Sequence, residues 1–219
     1  MRFYWIKTNW IIKKIFSKVI WSLPNANNQI YLSFDDGPTP EVTQWVLDQL
    51  QEYQAKASFF CIGKNIEKEP ELFQKIVQQG HTIGNHTFDH LNGWKTSTKD
   101  YLENIDKCQA MIEKTAAKKT PVSKFFRPPY GKLKNDQINE LKKKGYKIIM
   151  WDVLSADFDT SISKEKCLEN VVANIKPGSI IIFHDSIKAL PNLKFALPKV
   201  LDFINQNNYR YQTLDYICP

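Results

Sequence analysis

Tyr31-Leu32-Ser33-Phe34-Asp35-Asp36-Gly37-Pro38-Thr39-Pro40 is the stretch whose reading decides the fold. An apolar run stops there on two adjacent carboxylates. Ile30 to Phe34 has the length and composition of a short buried strand, and Gly37-Pro38-Thr39-Pro40 forces the chain out of it, so Asp35 and Asp36 sit at the strand's carboxyl end. In α/β folds that end is where ligands bind. Neighbouring carboxylates repel unless something positive lies beside them, and a divalent metal supplies that charge. Asp-Asp-Gly-Pro is also good turn chemistry, so a solvated turn explains the same residues until the rest of the chain is read.

Working outward, strand and helix patterns alternate. Val42, Trp45, Val46 and Leu50 share one face of a helix over Glu41 to Tyr53, and Ala57 to Ile62 is a strand. Pro70 opens a helix over Glu71 to Gln79 that stops at Gly80, the placement helix ends prefer. Thr82-Ile83-Gly84 leads into Asn85-His86-Thr87-Phe88-Asp89-His90, and Thr98 to Lys114 is a longer helix. Phe125-Phe126 is a short strand running into Arg127-Pro128-Pro129-Tyr130-Gly131. Asn135 to Lys144 is a basic helix stopped by Gly145, and Tyr146 to Trp151 is an apolar strand ending on Asp152. Ser163 to Ile175 is helical. Ser179 to Phe183, the most hydrophobic strand, ends on His184-Asp185; Leu190 to Asn205 is a helix with Pro198 inside it, and Tyr209 to Leu214 is a last strand. About seven strand-then-helix units with short connections indicate an α/β fold, a distorted (β/α)7 barrel of mostly parallel strands.

A chain of 219 residues fits one domain with a full core. Its 42% hydrophobic and 24% charged residues are globular values, and a mean hydropathy of -0.42 excludes a polytopic membrane protein. The net charge of +7 suits an anionic polymer or surface, but the lysines are scattered apart from Lys142-Lys143-Lys144 and Lys118-Lys119, which argues against nucleic acid as a partner. Cys61, Cys108, Cys167 and Cys218 form no close pair and read as structural thiols, a weak pointer to a reducing compartment.

Residues 1–29 form a basic amphipathic segment and linker ahead of a domain at 30–219. Ile11, Ile12, Ile15, Phe16, Val19 and Ile20 recur at helical spacing between Lys13, Lys14 and Lys18. Packing of that apolar face on the domain is the favoured reading, and peripheral membrane contact through residues 1–22 is the alternative. Lysines interrupt every apolar stretch and no cleavable signal is evident, so a cytoplasmic or membrane-peripheral location is expected.

Three of the four histidines stand at or just beyond predicted strand ends, on the rim that carries Asp35 and Asp36. His86 and His90 are four apart, which would put both imidazoles on one face of a helical turn. One aspartate added to them makes a two-His, one-Asp set with an open position, the pattern of a catalytic metal site, and frees the other aspartate to act as a base. His81 reads as structural.

Here the chain resembles the polysaccharide deacetylases, the NodB-homology family of carbohydrate esterases. The resemblance runs from about Ile30 to the C-terminus and includes five motifs in order: Ser33-Phe34-Asp35-Asp36-Gly37-Pro38; His86-Thr87-Phe88-Asp89-His90; Arg127-Pro128-Pro129-Tyr130-Gly131; Asp157-Phe158, where the family usually has Asp-Trp; and Phe183-His184-Asp185. It implies that Asp36, His86 and His90 hold one divalent metal, Zn first with Co or Ni also suited, and that Asp35 is the general base. It further implies that the Tyr130 backbone N–H, approached through Pro128, stabilises the oxyanion and that His184, oriented by Asp157, protonates the departing amine. Arg127 would pair with Asp35. Phe158 would keep an apolar wall but lacks the indole N–H. The implied activity removes N-acetyl groups from the amino sugars of a glycan, peptidoglycan or a chitin-type oligomer. A lipid-linked aminosugar or an O-acetyl ester is the alternative substrate.

Overall fold

The structure is a computed structural model that describes residues 4–23, 27–116 and 123–217. Lys118, Lys119 and Cys218 lie outside the described residues.

The chain folds as expected into an α/β half-barrel. Its strands are β1 (Gln29–Asp35), β2 (Ala57–Cys61), β3 (Thr82–Asn85), β4 (Phe125–Phe126), β5 (Lys147–Ile148), β6 (Val153–Leu154), β7 (Ile180–His184) and β8 (Arg210–Tyr211). Seven run in the order β5-β4-β3-β2-β1-β7-β6, every pair parallel, and β8 adds to the start of β1. β1 is central, which explains why its residues from Ile30 to Asp35 are all buried. The register sets Asp35 beside His184 on one side and Phe60 on the other, so the carboxyl ends of β1 and β7 deliver their polar residues to the same place.

Helices cover the outside: α2 (Val42–Glu52), α3 (Gly63–Lys68), α4 (Pro70–Gln78), α5 (Thr98–Thr115), α6 (Asn135–Lys143), α7 (Lys164–Val172) and α8 (Leu190–Gln206), after a short α1 (Trp10–Ile15). Val42, Val46, Leu47 and Leu50 of α2 join Phe34, Phe59 and Phe183 in one core with Leu193, Leu197, Val200 and Leu201 of α8. Phe34 stacks on Phe59 at 5.1 Å and on Phe183 at 6.0 Å, which joins the three central strands side by side on one face of the sheet. Helix α3 was not foreseen. At six residues, with only Gly63 and Ile66 buried, it is too short to show a hydrophobic period.

Tyr146 to Trp151 is not one strand: pairing ends at Ile148 and resumes with β6. Between them Arg127 draws in the carbonyls of Ile149 (3.3 Å) and Met150 (3.0 Å), and the Met150 N–H donates to Ile20 rather than to a sheet neighbour. Residues of the N-terminal segment thus fill the seam between β5 and β6, through bridges of Ile20 to Ile149, Lys7 to Val153 and Ser22 to Ser179. The last strand is only Arg210–Tyr211, because β1 is partnered by β2 and β7 beyond Ile30.

The apolar face of residues 11–20 packs on the domain only at its C-terminal end: Val19 is buried with Tyr101 and Phe126 and Ile20 packs against a neighbouring core cluster, while no residue of α1 is buried. Lys7 and Lys13 turn inward instead. Their ammonium groups each lie 2.5 Å from the carboxylate of Asp152, which is almost closed to solvent. A buried carboxylate with two cations within reach outweighs the hydrophobic pull on a six-residue helix.

Candidate active site

Asp36 follows the last residue of β1 with a left-handed φ of 84°, and the Asn65 side chain of α3 donates to its carbonyl at 2.7 Å. His86 follows the last residue of β3. Its Nδ1 meets the Arg127 carbonyl at 2.8 Å, a contact that makes Nδ1 the protonated nitrogen and leaves Nε2 as a free lone pair. His90 reaches the same point, but not from a helix. Thr87 and His90 both have left-handed φ, 63° and 57°, and the loop between them is pinned by Asn104 of α5, which accepts from the N–H groups of Phe88 and Asp89. The expected helical turn is therefore a loop that brings the rings to 5.1 Å by a different route.

The donor atoms of Asp36, His86 and His90 all lie within 4.8 Å of one another. Asp36 Oδ1 is shut from solvent and accepts no well-formed hydrogen bond, although the Nε2 atoms of His90 and His86 stand 3.2 and 3.6 Å away. A buried carboxylate oxygen facing the Nε2 atoms of two imidazoles, without a well-formed hydrogen bond, is what a cation would satisfy. Burial works against ionisation of Asp36, but His90, His184 and His86 outweigh it and hold the carboxyl well below its usual range. Burial pushes His86 down to about 4, so it is a neutral imidazole at pH 7.

Asp35, next to this group, is 2% exposed. Arg127 Nη1 meets its Oδ1 at 2.6 Å, and its Oδ2 lies 3.7 Å from His86 Nε2. Arg127 has no exposed surface; its guanidinium also donates to Ser33 Oγ at 2.9 Å and lies 4.0 Å over the Phe60 ring. On the far side, His184 Nδ1 meets Asp157 Oδ1 at 2.8 Å while the His184 N–H donates to the other oxygen at 2.7 Å. Burial would lower the imidazole's pKa, but Asp157, with Asp36 and Asp35 behind it, raises it to about 9. Phe158 lays its ring edge-on to His184 at 5.0 Å. Asp185 caps no catalytic group: it accepts from Gly37 N–H and Thr43 Oγ1 and so ties the Asp36 turn to α2, and burial pushes its carboxyl up to about 7.

Tyr130 has a left-handed φ of 60° and its ring lies 4.7 Å from that of His90. Pro128, Tyr130 and Phe158 line a cleft of about 730 Å³ together with Asp35, Asp36, His86, His90 and His184. Sequence reasoning missed Tyr4, Lys132, Trp151 and Lys188 in the same cleft. Lys132 and Lys188 sit just past the Tyr130 and His184 motifs, where strand-end loops line a rim, and that position was the available signal. Nothing local marks Tyr4, which arrives from the N-terminal segment, donates to Asp159 at 2.9 Å and packs edge-on to Phe158 at 5.7 Å. His81 stays outside the site, accepting from the Ala57 N–H at 3.2 Å, as a structural residue should.

The sequence profile of the polysaccharide deacetylases matches residues 23–149. A peptidoglycan-N-acetylglucosamine deacetylase of Bacillus cereus is 32% identical over 211 residues, 96% of this chain and 74% of that protein. A chitooligosaccharide deacetylase of Azorhizobium caulinodans is 34% identical over 158 residues, 72% of this chain and 74% of the relative. The crystal structure of the Bc1960 peptidoglycan N-acetylglucosamine deacetylase, in complex with 4-naphthalen-1-yl-N-oxidanyl-benzamide, superposes with a TM-score of 0.86 at 30% identity, covering 95% of this chain and 96% of that one. A profile that spans more than half of the chain, and relatives alike over most of both lengths, place this protein in the polysaccharide deacetylase family, hydrolases of the NodB-homology group of carbohydrate esterases.

Proposed function

We propose that this enzyme removes N-acetyl groups from the amino sugars of a glycan, peptidoglycan first and chitin-type oligomers second, with a divalent metal held by Asp36, His86 and His90. The observation that carries the reading is the buried, unsatisfied Asp36 Oδ1 facing two imidazole Nε2 atoms, beside a second buried carboxylate that is already paired. Two nitrogens and an oxygen suit Zn, Co or Ni, and such an ion, when bound, polarises an amide carbonyl and lowers the pKa of water.

The chain's own groups do the rest. Asp35 takes a proton from water as its hydroxyl adds to the acetyl carbon, and Arg127 fixes one of its oxygens so that the other faces the site. The N–H of Tyr130, whose ring packs on His90, donates to the oxygen on the tetrahedral carbon. His184, held as an imidazolium by Asp157, gives its Nε2 proton to the nitrogen as the C–N bond breaks. Acetate and the free amine leave, and the proton on Asp35 returns the site to its starting state through His184 or solvent. Tyr4, Trp151 and Phe158 supply aromatic walls for a sugar ring.

Acetate release from N-acetylglucosamine oligomers and from peptidoglycan, by chelator-stripped protein with and without added Zn or Co, tests the proposal. Release that needs metal and disappears in Asp35→Asn is the expected result. Release unaffected by chelation, or retained in Asp35→Asn, would overturn it.

A further inference from the structure

Residues 7–16 carry their polarity inside out, whereas Val19, Ile20 and Trp21 after them pack on the core. Trp10 is 69% exposed, Ile15 64%, and Ile11 and Phe16 47% each, while Lys7 and Lys13 of the same segment are clamped on Asp152. Lys13 also donates to Ser22 Oγ at 3.0 Å, Thr8 Oγ1 to the Trp151 carbonyl at 2.8 Å and Trp21 Nε1 to the Phe16 carbonyl at 3.1 Å. The fold therefore holds an apolar tip out in water with its basic residues as the anchor. Four large apolar side chains held in solvent together mark a surface that gains by being covered.

The lysines beside the tip identify what covers it. Lys14 and Lys18 remain exposed, and Lys18 donates to Asn139 of α6 at 3.0 Å, which sets the tip against a helix whose last turn carries the exposed Lys142 and Lys143. Glu140 pairs with Lys143 and Asp136 lies in the same hollow, so the rim is basic but not uniformly so. Lysine is depleted at the centres of protein–protein interfaces, whereas an anionic bilayer attracts each one near its surface. Tryptophan belongs at the headgroup level, and isoleucine and phenylalanine at the acyl boundary beneath it.

We infer that residues 10–18, with Lys142 and Lys143 of α6, form an interfacial docking surface for an anionic lipid bilayer. This goes beyond the deacetylase reading and does not depend on it. Tyr4, six residues before Trp10, lines the cleft, and six residues span at most about 20 Å, so a docked molecule carries its cleft close to the lipid surface. Among the described residues no helix is long and apolar enough to cross a membrane, and the contact would be peripheral.

Flotation of the full chain with vesicles of phosphatidylglycerol and phosphatidylcholine, and with phosphatidylcholine alone, tests the inference. Binding to the anionic vesicles is expected to fall at least tenfold in Trp10→Ser/Phe16→Ser and in Lys14→Glu/Lys18→Glu, and to weaken with salt. Acetate release from a soluble oligosaccharide should stay unchanged in both variants, which shows that they fold. Absence of binding at low salt, or equal binding by Trp10→Ser/Phe16→Ser, would overturn it. So would a dimer in solution that this variant dissolves while the native chain ignores vesicles, because the tip would then belong to a second copy.

Discussion

Arg127 Nη1 stands 2.6 Å from Asp35 Oδ1, and neither side chain is more than 3% exposed. This pair joins the third motif to the first through the middle of the barrel, from β4 to β1. Burying two charges is tolerable only because each is fully engaged: Arg127 also reaches Ser33, Ile149 and Met150, and Ser33 in turn donates to the Ile181 carbonyl of β7. The proposed base is thereby wired to the strands on both sides.

Arg127→Met should lose about 3–5 kcal/mol of stability, because it strands a buried carboxylate and two carbonyls. Urea denaturation measures it, and an unchanged midpoint would refute the coupling. Asp35→Asn should fold but lose about a hundredfold or more in acetate release.

The pH profile should report His184. Its pKa is raised from the usual 6.5 to about 9, so the imidazolium survives as an acid across neutral pH and activity should fall as pH rises past about 9. The same shift means a stabilising contribution present in full below about 6.5 and lost as pH climbs through about 9, on the order of 3 kcal/mol at most. Asp157→Asn should move the falling limb of the kcat profile to lower pH and flatten the alkaline loss of thermal stability. A limb that stays in place would exclude His184 as the acid.

Gly37→Ala should damage the turn between β1 and α2. A methyl group there would lie 1.9 Å from Asp185 Oδ2, inside the carboxyl that receives the Gly37 N–H and the Thr43 hydroxyl. The expected cost is about 1–3 kcal/mol, with metal affinity falling because Asp36 sits on the same turn. Thermal unfolding of the variant reads the first effect and calorimetric Zn titration the second.

Asp152→Asn should release the N-terminal segment. Burial opposes ionisation of Asp152, but Lys13, Lys7 and Ser179 overcome it and depress its pKa below the usual 3.8. A depressed carboxylate stabilises the fold above its ordinary pKa and loses that contribution as pH falls through the folded value. The variant should therefore be less stable than the native chain at pH 7, by about 1–3 kcal/mol given that Lys7 and Lys13 remain 30% and 25% open, and the gap should close in acid. Limited proteolysis should cut before Ile20 faster in the variant.

Periodicity and punctuation alone determined the alternating units, the central place of Ile30 to Phe34 and the strand ends that carry Asp35, His86, Arg127 and His184. Those signals are local: a buried strand is a short apolar run, a helix a recurring face, and a loop a cluster of glycine, proline and polar residues. Asp35, Asp36, His86, Arg127 and His184 were legible because each stands at or one residue past the end of its strand, whereas Tyr130 and Asp157 were singled out by the family resemblance alone. Tertiary structure decided what distance along the chain conceals. Tyr146 to Trp151 breaks as a strand because Arg127, some twenty residues earlier in the chain, takes the carbonyls that a neighbour would have used. His86 and His90 meet through a left-handed loop held by Asn104 rather than through a helical turn. Residues 10–16 have the pattern of a helix that buries its apolar face, yet Asp152, about 140 positions away, binds the lysines and leaves that face in water. A hydrophobic pattern records what each side chain prefers; only the fold establishes which charged partner is close enough to override it.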